Sequence, residues 1–223
     1  MIAQEPDDFD VTGRLWFRDA LSARELTEFD RVCAMGEEPG VRIAVSPSIL
    51  AAIIPVDHLA RRLLPGAKPV RVVAFNKSEA GNWALPWHQD RVIAVRERAE
   101  VSGFRNWTRK SGVWHVEPPI AFMERMIFAR IHLDAATADN GSLELALGTH
   151  RAGKLADSAV SAVVQRPEQA TELCIADRGD ILFAKALTLH RSRASQSAVS
   201  RRAVRIDYSA DELPSPLEWE FST

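Results

Sequence analysis

The chain has 223 residues, 46% hydrophobic and 26% charged, with a net charge of −2. That length suits a single domain that buries enough surface to fold without a disulfide or zinc staple. The near-neutral balance argues against a nucleic-acid partner, which calls for clustered Lys and Arg. Cys33 and Cys174 match no metal or disulfide spacing. No apolar run approaches the ~20 residues of a membrane span, and the acidic start Met1-Ile-Ala-Gln-Glu-Pro-Asp-Asp lacks the pattern of a signal peptide. A soluble, cytoplasmic protein with no membrane partner is expected.

In chain order, residues 1–68 read as a helical part with one short strand. Gly13-Arg-Leu-Trp-Phe-Arg18 alternates weakly, and Ser22-Ala-Arg-Glu25 is a capping box. Leu26, Phe29, Val32 and Cys33 then recur at helical spacing. Ser46-Pro47 opens a second helix, with proline in the first turn where its missing N–H costs nothing, and Pro65-Gly66 ends it. From residue 69 the texture becomes β-rich. Strands are predicted near 69–76, 85–90, 112–117, 126–133, 142–147, 171–175, 180–187 and 202–208. Asn140-Gly141 and Arg178-Gly179-Asp180 are turns, and 155–164 is a short helix. The expected architecture is mainly β with α: one domain over 1–223, a double-stranded β-helix (jelly roll) core at 69–210 with helices packed on one face.

Three of the six histidines begin a His-x-acid triplet: His88-Gln-Asp90, His115-Val-Glu117 and His132-Leu-Asp134. Side chains at i and i+2 of a strand leave from one face, so an imidazole and a carboxylate can reach one ion. A second histidine from elsewhere would complete the two-histidine, one-carboxylate triad of non-haem Fe(II) oxygenases. Fourteen aspartates among 223 residues place Asp two positions after fewer than one of the six histidines by chance, whereas the chain has two such triplets. Strand order must choose between them. A jelly-roll oxygenase brings its last ligand from several strands downstream. Five predicted strands separate Asp90 from His190, and three separate Asp134 from His190. His132 sits mid-run in Phe128-Ala-Arg-Ile-His-Leu-Asp134 and reads as a structural histidine.

The segments Asn76-Lys-Ser-Glu-Ala-Gly-Asn-Trp83, Trp87-His-Gln-Asp90, Arg130-Ile-His-Leu-Asp134, Asn140-Gly-Ser-Leu, Gly148-Thr-His150, Leu189-His190-x-Ser192 and Arg201-Arg202 follow one another in this order. Together they resemble the phytanoyl-CoA dioxygenase family, and more narrowly its short bacterial members that share an Asn-Trp-x-x-x-Trp-His-Gln-Asp segment. The resemblance runs from about residue 69 to 219. It implies that His88, Asp90 and His190 hold Fe(II), leaving positions for 2-oxoglutarate and O₂. It places Arg201 as the arginine that grips the far carboxylate of the cosubstrate, with Ser192 bonding the same group. A planar guanidinium fork suits that bidentate task. Lys77 is a second cosubstrate candidate, and Trp107 is the nearest match to a family tryptophan that encloses the cosubstrate. Arg202 falls on the opposite face of its strand, as a surface residue. The sequence departs from the family at Leu147, where a proline is usual.

Residues 91–118 carry Arg91, Arg96, Arg98, Arg105, Arg109 and Lys110, with Phe104, Trp107, Trp114 and His115 interleaved. The segment is either a solvated charged face or a lid over the site. A basic, aromatic lid would suit an acidic or polar substrate. The leading expectation is an Fe(II)- and 2-oxoglutarate-dependent dioxygenase that hydroxylates an unactivated carbon of a compact small-molecule substrate. Asp90 argues against a halogenase, in which that ligand position is vacant. A non-oxidative metal-dependent jelly roll of isomerase type and a non-catalytic binding module remain as alternatives, and neither needs the Arg201 clamp.

Overall fold

Both helix starts legible in the sequence are built as their capping chemistry requires. Ser22 Oγ accepts from the Glu25 N–H at 3.3 Å while the Glu25 carboxylate accepts from the Ser22 N–H at 2.7 Å. Ser46 Oγ accepts from the Ile49 N–H, with Pro47 in the first turn. The computed structural model describes residues 6–33 and 40–222, so most of the acidic start, residues 1–5, lies outside them. Along the chain run α1 (Pro6–Thr12), β1 (Arg14–Phe17), α2 (Ala23–Val32), β2 (Val41–Arg42), α3 (Pro47–Leu63), β3 (Lys68–Lys77), β4 (Leu85–His88), β5 (Ile93–Val95), β6 (Arg105–Lys110) and β7 (Val113–Glu117). There follow α4 (Ile120–Glu124), β8 (Ile127–His132), β9 (Leu143–Ala146), a 3₁₀ turn (Thr149–Ala152), α5 (Asp157–Val164), β10 (Thr171–Leu173), β11 (Ile181–Lys185), β12 (His190–Ser192) and β13 (Arg201–Ser209). No helix among the described residues is long and apolar enough to cross a membrane.

The strands form antiparallel sheets. The major sheet has the order β1-β11-β8-β13-β3-β2, the minor sheet β10-β9-β12-β4, and a small third sheet β5-β7-β6. The jelly-roll expectation holds. Three strands beyond the eight predicted, β5, β6 and β12, belong to this core region, and β2 lies before it.

Alternation along the major sheet separates two environments. Val72, Ala74, Ile131, Val204, Ile206 and Tyr208 face Leu26, Phe29, Ile49, Ile53, Val56 and Ala60 of α2 and α3 in one buried cluster. Burial of each such aliphatic or aromatic side chain stabilises by about 1.5–3 kcal/mol, which makes this the principal core. The opposite face of the same strands is polar and looks toward the minor sheet. There, one row of cross-strand partners reads Arg42, Val73, Arg205, Arg130. Residues two or four positions along add Arg201, Lys77 and Phe75 to that face. With Arg71, two positions from Val73, this sheet interior carries five arginines and a lysine, a costly arrangement, and it marks where the chemistry sits.

Candidate metal centre and its cavity

Between the two sheets lies a cavity of about 530 Å³, lined by His88, Asp90 and His190 together with residues of the polar row. β4 and β12 are antiparallel neighbours, and their register sets His88 directly opposite His190. The two imidazole rings stand 4.2 Å apart between centroids, and His190 Nε2 lies 3.8 Å from Asp90 Oδ2. One ligand atom from each of the three residues lies within 4.8 Å of the others, and no other such group of three occurs among the described residues.

Each imidazole is oriented by a backbone carbonyl. His88 Nδ1 lies 2.7 Å from Pro86 O and His190 Nδ1 lies 2.9 Å from Thr188 O. A carbonyl only accepts, so both Nδ1 atoms carry a proton, which leaves the two Nε2 atoms as the ligating positions, the arrangement usual for metal-bound histidine. Burial, with help from His88 and Arg205, lowers the His190 pKa to about 4, so the ring is neutral. Asp90 is desolvated, which raises its pKa. Arg205, His190 and Arg71 together outweigh that effect and hold the carboxyl well below the usual carboxylate range. Arg205 Nη2 donates to Asp90 Oδ2 at 2.6 Å. Two imidazoles so oriented and one anchored carboxylate fit a divalent first-row cation.

The ligands are also fixed from behind. Gln89, between His88 and Asp90, is buried and makes three backbone bonds. Its Nε2 donates to Gly153 O and Leu187 O, and its Oε1 accepts from the Leu155 N–H, each at 2.8 Å. Thr149 Oγ1 accepts from the Leu189 N–H at 2.9 Å, which sets the residue before His190. Leu147, where the family has a proline, donates its N–H to Ala170 O at 2.9 Å, a bond that proline lacks. The Gly148 turn stands regardless at φ 74°.

At one end of the cavity Arg201 is 2% exposed. Its Nε donates to Asn140 O at 3.1 Å and its Nη2 to Gly141 O at 2.9 Å, while buried Nη1 has no partner among the described residues. An orphaned guanidinium donor on a cavity wall is the signature expected where a carboxylate docks. Ser192 lines the same end. Lys77 is buried behind it, with Nζ donating to Ser192 Oγ (3.2 Å), Arg193 O (2.6 Å) and Gly141 O (3.4 Å). Its three donors are thus spent on protein, and it is not among the cavity-lining residues. The Asn140-Gly141 turn earns its glycine. At φ 72° a Cβ on Gly141 would stand 2.7 Å from Arg193 O.

Other expected positions separate cleanly. Arg202 turns outward and forms a forked pair with Asp134, Nη2 to Oδ1 at 2.7 Å and Nε to Oδ2 at 2.9 Å. Asp134 is therefore occupied as a structural acceptor. His132 Nδ1 faces Asp180 O at 3.2 Å and its ring packs on Trp16, away from the metal cluster. Glu117 is bonded by Arg105, Asn106 and Lys154, and His115 Nε2 by Arg42 Nη2 at 2.8 Å. Trp83 lines the cavity, whereas Trp87 packs near α5 under Arg191, whose Cζ is 4.7 Å from the ring centroid. Arg191 points away from the site and pairs with Glu144 at 2.7 Å.

Trp107 is the residue expected to enclose the cosubstrate. It does not line the cavity; it packs edge-on against Trp114 at 6.3 Å, on the apolar cluster that the small sheet shares with Val70, Met126, Leu187 and Trp219. A register irregularity between Arg105 and Thr108, with Asn106 at φ 57°, falls on this residue. The segment 91–118 is largely the small sheet, and the tip of its β6–β7 hairpin, Lys110 and Ser111, lines the cavity mouth.

Sequence reasoning missed Arg42, Arg71, Arg130 and Arg205, which all line the cavity. Arg205 could have been found, since it shares the alternation phase of Arg201. Arg130 is buried, stacks over Phe75 with Cζ 5.4 Å from the ring centroid, and has no ion pair among the described residues. Its Nε has no partner. Burial and then Arg201 lower its pKa to about 9, which leaves it cationic at neutral pH.

Comparison with known proteins agrees with this fold. The family model described as phytanoyl-CoA dioxygenase matches residues 40–203, more than half of the chain. No curated protein matches. Among solved structures, EctD from S. alaskensis in its apo form has a TM-score of 0.69 at 18% identity, covering 97% of this chain and 80% of that one. The non-heme alpha-ketoglutarate-dependent carbocyclase SnoK from nogalamycin biosynthesis has 0.66 at 16%, covering 91% and 81%. HygX from Streptomyces hygroscopicus with nickel and 2-oxoglutarate bound has 0.60 at 17%, covering 93% and 87%. At these identities the likeness is one of fold.

Proposed function

Because the chain belongs to the phytanoyl-CoA dioxygenase family, whose members depend on Fe(II), 2-oxoglutarate and O₂, we propose that it hydroxylates an unactivated carbon of a small-molecule substrate. The observation that carries this reading is the juxtaposition of the His88, Asp90 and His190 cluster with the unpaired Nη1 of Arg201 in one cavity. His88, Asp90 and His190 would hold the iron. Bound Fe(II) supplies O₂ activation coupled to oxidative decarboxylation of 2-oxoglutarate to succinate and CO₂.

The chain's own residues supply position and environment. Arg201 offers the free donor of its fork to the far carboxylate, and Ser192, whose oxygen already accepts from Lys77, keeps its hydroxyl proton to donate to the same group. Lys77 acts through Ser192 as a positioning residue. Arg130, uncompensated beside Arg201, adds a second positive charge at the end where a dianion would lie. Arg205 keeps Asp90 ionised and aimed. Phe75, Trp83, Leu85, Phe128 and Leu143 provide apolar walls that limit water at the reacting carbon.

A solved neighbour is a carbocyclase and another an epimerase, so the product distinguishes hydroxylation by its gain of one oxygen. The first test is succinate release from 2-oxoglutarate with Fe(II) and ascorbate, alongside calorimetric metal binding. His88→Ala, Asp90→Ala and His190→Ala are expected to lose metal and turnover, while His132→Ala keeps the metal. Loss of metal binding in a folded His132→Ala protein would show that the wrong triplet has been assigned. Metal binding without 2-oxoglutarate-dependent succinate would favour a non-oxidative enzyme.

A further inference from the structure

The cavity holds more positive charge than the metal ligands and cosubstrate account for, and the excess lies at the end away from Arg201. Arg42 sits on β2, paired with Val73, four residues along β3 from the Lys77 that pairs with Arg201. At ~3.4 Å per residue that is about 14 Å along the sheet. Arg205 and Arg71 at the centre are matched by carboxylates. Asp207 pairs with the Nε of both, and Asp90 takes Arg205 Nη2.

Arg42 has no such match among the described residues. Its side-chain bond is Nη2 to His115 Nε2 at 2.8 Å. An arginine only donates, so that nitrogen accepts. His115 Nδ1 faces Val113 O at 3.1 Å and carries the proton. The partner is therefore a neutral imidazole that orients the guanidinium and cancels none of its charge. Arg42 Nε is buried without a partner. Glu220 is near enough to feel Arg42 and Arg71 but forms no ion pair with either among the described residues, and burial raises its pKa. Lys110, at the hairpin tip, adds a second cation to the same mouth.

We infer that Arg42, with Lys110 above it, receives an oxyanion of the primary substrate, a carboxylate or a phosphate, which sets the opposite part of that molecule at the metal. This rests on the reading of the site as an Fe(II)- and 2-oxoglutarate-dependent centre. Arg42 and Arg205, which holds Asp90, are two strands apart in one cross-strand row, roughly 10 Å at the usual strand spacing. A molecule spanning that gap is compact, with its reacting carbon several bonds from the anion. The cosubstrate's carboxylate, on Arg201, does not compete for the same donors. His115 is a positioning residue here.

The experiment titrates benzoate, phenyl phosphate and neutral benzamide into anaerobic protein loaded with Mn(II) and 2-oxoglutarate, with heats of binding and melting temperatures as readouts. At least one of the two anions should bind, and benzamide should bind at least about tenfold more weakly; the better anion identifies carboxylate or phosphate. Arg42→Gln should weaken the anion by about tenfold or more and Arg42→Lys by less, while 2-oxoglutarate affinity stays within about twofold. The proposal is overturned if neither anion binds, if benzamide binds as well, if Arg42→Gln leaves the anion unaffected, or if that variant loses 2-oxoglutarate in parallel. Failure of wild-type protein to bind 2-oxoglutarate with metal would instead refute the reading of the centre. The anion titrations then repeat on metal-free protein and still decide the role of Arg42.

Discussion

Arg201 and Arg202 are chain neighbours with opposite duties, because adjacent residues of β13 leave from opposite faces. Arg201→Ala should weaken 2-oxoglutarate by about 2–4 kcal/mol, the scale of removing one partner from a buried charged pair. Arg202→Ala should leave that affinity nearly intact and instead lower thermal stability, since it abandons Asp134 and Asp30. Equal losses of 2-oxoglutarate affinity in calorimetry would mean that the strand phase is wrong. Arg130 predicts a trade of the opposite kind. A buried guanidinium with no carboxylate is a burden on the empty fold, so Arg130→Met should raise the melting temperature of metal-free protein while weakening 2-oxoglutarate. A variant that is less stable and binds as tightly would assign Arg130 to the core alone.

At the scale of elements, the β6–β7 hairpin places Lys110 and Ser111 at the cavity mouth. If the hairpin closes over the mouth once the centre is loaded, trypsin should cut after Lys110 more slowly when Mn(II) and 2-oxoglutarate are added, relative to cuts elsewhere. Equal rates in both states would leave the hairpin as a fixed, solvated edge. The same element shows where sequence reading reaches its limit. The long strands were legible because one face is apolar and the other is not, as in β13 and β8. β6, Arg-Asn-Trp-Thr-Arg-Lys, is largely exposed and carries no such alternation. β12 has three residues, too few to show a period. The capped helices α2 and α3 declared themselves through Ser22 and Ser46, whereas α1 and α4 are only seven and five residues long.

For the whole molecule, pH should act through imidazoles buried as neutral rings. Burial, then Arg130, lowers His132 to about 3, and burial, then Arg42, lowers His115 to about 4. Unfolded chains take up these protons near the ordinary histidine value of 6.5. Between 6.5 and about 4 the unfolded state therefore binds more protons, and stability present above pH 6.5 is lost as the pH falls. Lys77, lowered by burial and then Arg201 to about 7 from 10.5, adds stability on the alkaline side as the pH rises between those values. Urea midpoints across pH 4–10 should trace both limbs, with the acid limb shallower in His132→Gln; a limb unchanged by that substitution would remove His132 from the account. The candidate triad and clamp were readable because their spacing follows a family order. The other cavity arginines were not, because Arg42, Arg205 and Arg130 meet only across β2, β3, β13 and β8, a neighbourhood created by topology rather than by sequence distance.

The shortness of β12 has a consequence for how the centre is assembled. In a pleated strand a slip of one residue exchanges the two faces, so a shifted β12 would withdraw His190 and Ser192 together and drive Arg191 inward. Only two register pairs tie β12 to β4, with an irregularity between them. The correct phase is enforced from the solvent side, where Arg191 pairs with Glu144 on β9 and lies over Trp87 on β4. Three strands are thereby indexed by contacts that never touch the chemistry. The outer surface of the minor sheet acts as the jig on which the metal site is set, and errors in assembly would be decided there before any ligand arrives.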